Sequence, residues 1–228
     1  MWRRSLPPIH PDGWKFVAVF AVASLILYWI ARPLGWAGGL LTLWCVCFFR
    51  NPWRVTPQRD GLIVAPADGT VVGVDEAAPP AELGMGEAKM RRIGIFLSVF
   101  DVHMNRVPAT GQVVKTAYRE GKFLNAALDK ASEDNERMAI RIAMADGADI
   151  AVVQIAGLIA RRIVCDLNEG QRVVAGQPLG LIRFGSRTDL YLPLAWSHFA
   201  IVGQRMVGGE TVVADLRANE GARQGLVH

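Results

Sequence analysis

Residues 64–74 read Val64-Ala65-Pro66-Ala67-Asp68-Gly69-Thr70-Val71-Val72-Gly73-Val74, a run of β-branched and small residues broken by Pro66, Asp68 and two glycines. Valine and threonine suit a pleated strand, and the Pro-Ala-Asp-Gly centre supplies turn chemistry. The stretch therefore predicts two short strands meeting at a turn. A weaker echo lies at Leu167-Asn168-Glu169-Gly170-Gln171-Arg172-Val173-Val174-Ala175-Gly176-Gln177-Pro178-Leu179-Gly180. Working outward, short Val/Ile runs punctuated by Gly, Pro and Asp continue from Leu62 to the end of the chain. They predict strands over 62–65, 70–75, 92–99, 111–118, 138–144, 149–155, 158–164, 179–184, 190–194 and 211–215. Residues 121–137 carry too many charges for a core strand and read as a loop with a short helical piece.

The chain before this β-rich part has another texture. Residues 16–31 and 33–49 carry no charge, and as helices of 16 to 17 residues each would be about 25 Å long, at the short end for crossing a bilayer. Arg32-Pro33 between them predicts a tight turn. Arg3, Arg4 and Lys15 precede the pair and Arg50, Arg54 and Arg59 follow it, so the positive-inside rule puts both ends on the cytoplasmic side. A second apolar segment follows the first at once, which argues against a cleaved signal peptide. The expected organisation is a membrane-attaching helical hairpin with basic flanks over 1–59 and a β-rich domain over 60–228.

Charge supports that division. Of 25 Lys/Arg and 21 Asp/Glu in 228 residues, seven and two fall within residues 1–60. The arm is basic and the body nearly neutral, so an anionic membrane surface suits the arm and no nucleic acid is expected as partner. Cys45, Cys47 and Cys165 form no disulfide framework, and no Cys/His spacing suggests a metal site.

Three polar residues stand out among the strands. Asp68 sits at the strand–turn junction, where a carboxylate ordinarily bonds turn amides. His103 follows the apolar run 93–100 in Phe100-Asp101-Val102-His103-Met104-Asn105-Arg106-Val107-Pro108. Ser186 lies in Phe184-Gly185-Ser186-Arg187-Thr188-Asp189, between β-rich runs at 178–184 and 190–194. Gly185 puts no side chain beside its carbonyl, and the Ser186 hydroxyl can swing onto that carbonyl. An acid, an imidazole and a hydroxyl are the parts of an activated nucleophile. His198 is the reserve histidine and reads as structural.

Five segments together carry a resemblance: residues 65–69, 100–108, 121–137, 154–164 and 183–189. In this order they resemble the short, single-domain type of phosphatidylserine decarboxylase proenzyme. The likeness runs from Phe48-Phe49-Arg50-Asn51-Pro52 to about Asp215, and the apolar hairpin agrees with it. It implies autocatalytic serinolysis between Gly185 and Ser186, giving a large chain 1–185 and a small chain 186–228 that remain together as a heterodimer or a higher oligomer of it. Ser186 would become a pyruvoyl group, the self-made covalent cofactor that forms a Schiff base with the substrate amine and accepts electrons as carbon dioxide leaves. Phosphatidylserine in a membrane would be converted to phosphatidylethanolamine. Asp68 matches the family aspartate, and His103 would act both as base for Ser186 and as acid in turnover. Longer forms carry two histidines three apart, and here Arg106 stands at the second position. Arg187 replaces the threonine that follows the serine in long forms and is a candidate for an anionic group of the lipid. The implied location is a bacterial-type cytoplasmic membrane, with the catalytic body on the cytoplasmic face.

The β part is thus expected to be mainly β and barrel-sandwich-hybrid-like, making the whole chain α+β with its hairpin. The same fold serves lipoyl and biotin carriers, so a membrane-tethered, non-enzymatic carrier or adaptor is the competing reading. No Lys occurs between Gly157 and His228, which leaves the second echo without an attachment point.

Overall fold

The computed structural model describes residues 7–121, 135–157, 162–183, 186–221 and 223–226. Two compact units make up the chain: residues 1–53 with Phe100–His103, and residues 54–99 with 104–228.

The first unit is a helical hairpin. Helix α1 spans Trp14–Ile30 and α2 spans Arg32–Phe48, with the extended residue Ala31 alone between them. Pro33 lies in the first turn of α2, where no intrahelical N–H is required, so the chain reverses at Ala31 and proline opens the second helix. Small residues let the helices approach. A Cβ on Gly35 would lie 2.4 Å from the Tyr28 Cβ, and one on Gly38 would lie 2.6 Å from the Ser24 Oγ. The Ser24 and Thr42 hydroxyl oxygens lie 3.1 Å apart across the seam, and each is also within hydrogen-bond distance of a carbonyl one turn earlier on its own helix. Leu25, Trp29, Trp36 and Leu40 stay exposed, and α1 buries no residue at all. Pro11–Ile30 is long and apolar enough to cross a membrane.

The second unit is built on an eight-stranded antiparallel sheet. Its order is β13 (Arg205–Met206), β2 (Gly69–Ala77), β3 (Met90–Leu97), β11 (Ser186–Leu192), β7 (Asp149–Ala156), β6 (Arg137–Ala143), β5 (Gly111–Arg119) and β9 (Arg172–Val173). Two three-stranded sheets accompany it. One is β1 (Leu62–Val64), β14 (Val212–Asp215) and β12 (Ser197–His198). The other is β4 (Met104–Arg106), β10 (Pro178–Ile182) and β8 (Ile163–Cys165). The large sheet is curled and the fold is mainly β with an α-helical hairpin, α+β overall. Alternation along the strands separates two apolar faces. The inner one carries Ile93, Ile95, Ile150, Val152, Leu190 and Leu192, and the outer one Leu83, Met90, Ala151, Val153, Ile155 and Tyr191.

Each of the ten expected strands overlaps an observed one, whereas the short strands β4, β9, β12 and β13 were not expected, and one shifted boundary is informative. The strand expected at 190–194 begins at Ser186, and all seven residues of β11 are buried. Hydropathy counted Ser186-Arg187-Thr188-Asp189 as turn. Flanked on both sides by β3 and β7, β11 has its backbone satisfied in the ladders, and the side chains of Arg187, Thr188 and Asp189 find partners within the protein. The strand expected at 158–164 is observed at Ile163–Cys165, residues 158–161 lying outside the described residues. Of the expected loop at 121–137, residues 122–134 also lie outside them, and Arg137 already opens β6.

Candidate active site

Ser186 is the first residue of the central strand and is fully buried. Its register partners are Leu97 on β3 and Ala156 on β7. Among the described residues its Oγ has no hydrogen-bond partner. The preceding strand, β10, ends at Ile182 in a different sheet, so the chain changes sheets within three residues just before Ser186. Gly185, the expected cleavage-site carbonyl, lies outside the described residues.

Even-numbered residues of β11 share the inner face with Leu190, and there the apolar lining gives way to a polar group. Thr188 is the register partner of Gln154. The Gln154 Nε2 donates to Asn105 Oδ1 at 2.9 Å, and Thr188 Oγ1 donates to the same oxygen at 3.3 Å. Asn105, Gln154, Thr188 and Ser186 are each 0% exposed. Ala156, Ile163 and Ile182 form a small apolar cluster of their own.

Arg187 points to the opposite face. It is 1% exposed, and its Nε donates to Asp189 Oδ1 at 2.5 Å. Arg92 and Tyr191 belong to the same electrostatic neighbourhood. Burial, then the Asp189 charge, pushes the Tyr191 phenol up to about 12, while hydrogen bonding to Asp75 raises Arg92 further above its ordinary range. An anion held by Arg187 would therefore share the outer face with Asp189.

Asp68 immediately precedes β2. Thr70 and Arg187 both face Phe96 across β3, so Gly69 lies level with Ser186, two strands away, or about 10 Å. Asp68 Oδ1 accepts from the Gly208 amide at 2.7 Å and Oδ2 from Arg54 Nη2 at 2.6 Å. Both partners are half-buried or better, so the carboxylate is an anchored counter-ion. Nearby Arg106 donates to the Gly176 carbonyl at 2.9 Å. Burial and the Arg54 charge lower its pKa, while Asp68 and Glu210 oppose them.

His103 belongs to the first unit, in the segment Phe100–His103. Its ring lies against Phe48 with centroids 4.0 Å apart, and Nδ1 is 3.0 Å from the Asp101 carbonyl oxygen. That contact suits the Nδ1–H tautomer, in which Nε2 carries the lone pair. Nε2 is buried and, among the described residues, has no hydrogen-bond partner. Burial depresses the imidazole pKa to about 4, with the Arg50 charge acting the same way and Asp101 opposing. His198 sits on β12, half-buried, and is lowered by burial and then by Arg91.

Sequence reasoning missed Asn105, Gln154, Thr188, Arg54 and the Asp101 carbonyl. Gln154 had a usable signal, being the one polar residue in the apolar run 150–156, and Asn105 lay two places beyond His103. A surface cleft of about 780 Å³, lined by Arg59, Gly61, Thr110, Met144 and Leu216 among others, lies at the β6–β7 turn, the other end of β7 from Ser186. Among the described residues no three His, Cys, Asp or Glu gather as metal ligands.

A buried serine at a sheet crossover, its hydroxyl without a hydrogen-bond partner among the described residues and with neutral amides nearby, describes an enzyme centre. Residues 41–214 match the family model for phosphatidylserine decarboxylase. The chain is 60% identical over 218 residues to a protein of Paramagnetospirillum magneticum named phosphatidylserine decarboxylase proenzyme, covering 96% of this chain and 91% of that one. A protein of the same name from Cereibacter sphaeroides is 57% identical over 96% of this chain and 95% of its own. One from Saccharopolyspora erythraea is 58% identical over 94% and 91%. The chain belongs to the phosphatidylserine decarboxylase family.

Proposed function

We propose that this chain is a membrane-attached, self-processing decarboxylase that converts phosphatidylserine to phosphatidylethanolamine and carbon dioxide, with residue 186 as its centre. Family membership supports the reaction, and the carrier reading has no comparable support. The buried Ser186 Oγ at the entry to β11, without a hydrogen-bond partner among the described residues, is the observation that carries the self-processing part.

Ser186 Oγ attacks the Gly185 carbonyl while His103 Nε2 takes its proton. The ester forms as the peptide C–N bond breaks, and the proton passes to the nitrogen. Loss of the residue 186 α-proton then breaks the Cβ–Oγ bond, and chain 1–185 leaves with a terminal carboxylate. Water uptake and loss of ammonia finish residue 186. A neutral imidazole with Nδ1–H turned to the Asp101 carbonyl is suited to the first transfer. Its depressed pKa makes the protonated form a strong acid for returning a proton during turnover. Asp68 holds Arg54 and the Gly208 amide in place beside β2. Arg187, expected from the sequence to meet a lipid anion, is assigned here to holding β11 through Asp189.

The surroundings of residue 186 fit a pyruvoyl group: the position is buried, and the polar side chains on its face are uncharged. When formed, that group supplies the electron sink for the carbon–carbon bond that breaks.

The small chain, 186–228, would contribute β11, between β3 and β7, together with β14 against β1 and β13 against β2. Such interleaving supports a stable pair of chains after cleavage. The exposed apolar hairpin supports attachment to a membrane, where the substrate resides, and the basic flanks support a cytoplasmic orientation.

Purified protein on a denaturing gel should give pieces of about 185 and 43 residues, as the positions of Gly185 and Ser186 dictate. The small piece should have a hydrazine-reactive carbonyl and no free amine. Ser186→Ala should give one band. A single unreactive band from the unaltered chain overturns the proposal.

A further inference from the structure

Two carboxamides, Gln154 on the inner face and Asn105 reaching it from β4, are left half satisfied. Asn105 Oδ1 takes hydrogen bonds from Gln154 and Thr188, yet among the described residues Asn105 Nδ2 has no acceptor and Gln154 Oε1 no donor. Both side chains are 0% exposed. Folded proteins leave few buried polar atoms in that state, and a neighbouring pair on the face that carries Ser186 calls for a ligand. The missing partner must offer one acceptor and one donor close together. An α-amino acid does so, with its carboxylate and its ammonium.

Spacing agrees. Thr188, which holds Asn105, is two residues along β11 from Ser186 and on the same face, roughly 7 Å away. An amino acid whose nitrogen lies at residue 186 carries its carboxylate oxygens roughly 4 Å further on. A hydrogen bond of about 3 Å completes the span.

We infer that Asn105 and Gln154 recognise the amino-acid head group: Asn105 Nδ2 donates to the substrate carboxylate, and Gln154 Oε1 accepts from its α-ammonium. The inference rests on the decarboxylase reading above and names the residues that select its substrate. Uncharged amides suit the task. A lysine or arginine would hold the carboxylate's negative charge in a buried site and oppose its departure as neutral carbon dioxide, whereas an amide orients the group without that penalty. Thr188 is a positioning residue that acts through Asn105.

The test uses the full-length processed protein in detergent micelles, with binding read by displacement of a fluorescent lipid. Two competitors separate the roles: phosphatidylethanolamine, with an amine and no carboxylate, and the phosphatidyl ester of 3-hydroxypropionate, with a carboxylate and no amine. Asn105→Leu should weaken the carboxylate-only competitor about ten- to hundredfold and the amine-only competitor less than about twofold. Gln154→Leu should reverse that pattern. Each should raise KM for phosphatidylserine more than it lowers kcat. Thr188→Val, which keeps side-chain shape, should weaken the carboxylate-only competitor severalfold even if the leucine variants fold poorly. Equal weakening of both competitors marks a merely structural cluster and overturns the inference, as does no weakening of either. A wild-type chain that is never cleaved, or releases no carbon dioxide, instead overturns the decarboxylase reading.

Discussion

The guanidinium of Arg187 occupies the space that a side chain at Gly94 would fill. A Cβ there would lie 2.6 Å from Nη2 and 2.9 Å from Cζ. Asp189, which accepts from Arg187, is the register partner of Gly94, so one glycine on β3 makes room for a fully buried ion pair on β11. Gly94→Ala should therefore destabilise by about 1–3 kcal/mol through overpacking alone. Arg187→Met should cost about 3–5 kcal/mol, because it breaks the buried pair by removing one partner. Both appear as lowered urea midpoints. In the cleaved protein the same variants should release the small chain at lower urea on gel filtration. An Arg187→Met protein that is as stable as the parent and keeps both chains removes the anchoring role.

The imidazole of His103 is expected to stay neutral well below the usual histidine range. Its folded pKa is about 4 against an ordinary 6.5, because burial penalises the charged ring. Between these values the unfolded chain holds a proton that the folded chain does not. The stabilisation from keeping the ring neutral is therefore full above pH 6.5 and falls as pH drops towards 4. The loss is about 3 kcal/mol at the lower limit. Urea midpoints of the uncleavable Ser186→Ala chain should fall between pH 7 and 4.5, and much less so when His103→Gln is added. Self-cleavage should run at a nearly constant rate from pH 8 to 5.5. A rate that halves near pH 6.5 would show an ordinary histidine and remove the buried-base assignment.

The hairpin and most strands were legible because they depend on local patterns: uncharged runs at 16–31 and 33–49, and Val/Ile runs closed by Gly and Pro. Ser186 and His103 were legible as chemistry, since a Gly-Ser bond and a histidine after an apolar run are local facts too. The burial of Ser186-Arg187-Thr188-Asp189 was not. A polar tetrapeptide reads as a turn unless it is known to sit between two strands and to bring its own counter-ion, and both facts are tertiary. Asn105 and Gln154 escaped for the same reason, because they lie 49 residues apart, on strands of different sheets, and meet only in the tertiary fold. Asp68 was legible as a residue but not by its partners, because the Gly208 amide is 140 residues away.

The Asp68 carboxylate joins Arg54 and the Gly208 amide, and a double substitution separates its two possible jobs. If it serves only as the Arg54 counter-ion, removing both charges should restore whatever Asp68→Asn alone destroys. The catalytic role that the family resemblance implies for Asp68 requires the carboxylate itself. Asp68→Asn and the pair Arg54→Gln with Asp68→Asn should then both accumulate uncleaved precursor on a denaturing gel. The double variant should nonetheless melt closer to the parent than the single one. Recovery of cleavage in the double variant would reduce Asp68 to a structural anion.

Inside the hairpin, the 3.1 Å hydroxyl contact between Ser24 and Thr42 can be turned into a ruler. Gly38 permits that approach, since a Cβ there would meet the Ser24 Oγ at 2.6 Å and its Cα at 2.9 Å. With Cys45 and Cys47 replaced by alanine, Ser24→Cys and Thr42→Cys should form an intramolecular disulfide within membranes under mild oxidation, because opposed positions at this spacing fit disulfide geometry. Adding Gly38→Leu should push the helices apart by more than a disulfide tolerates and suppress the cross-link severalfold. Membrane association should survive, since it depends on the outward faces carrying Leu25, Trp29, Trp36 and Leu40 rather than on the seam. Full cross-linking in the Gly38→Leu protein would mean that the helices do not meet at this seam. Loss of the protein from the membrane fraction would mean that packing, and not the apolar surface, holds it there.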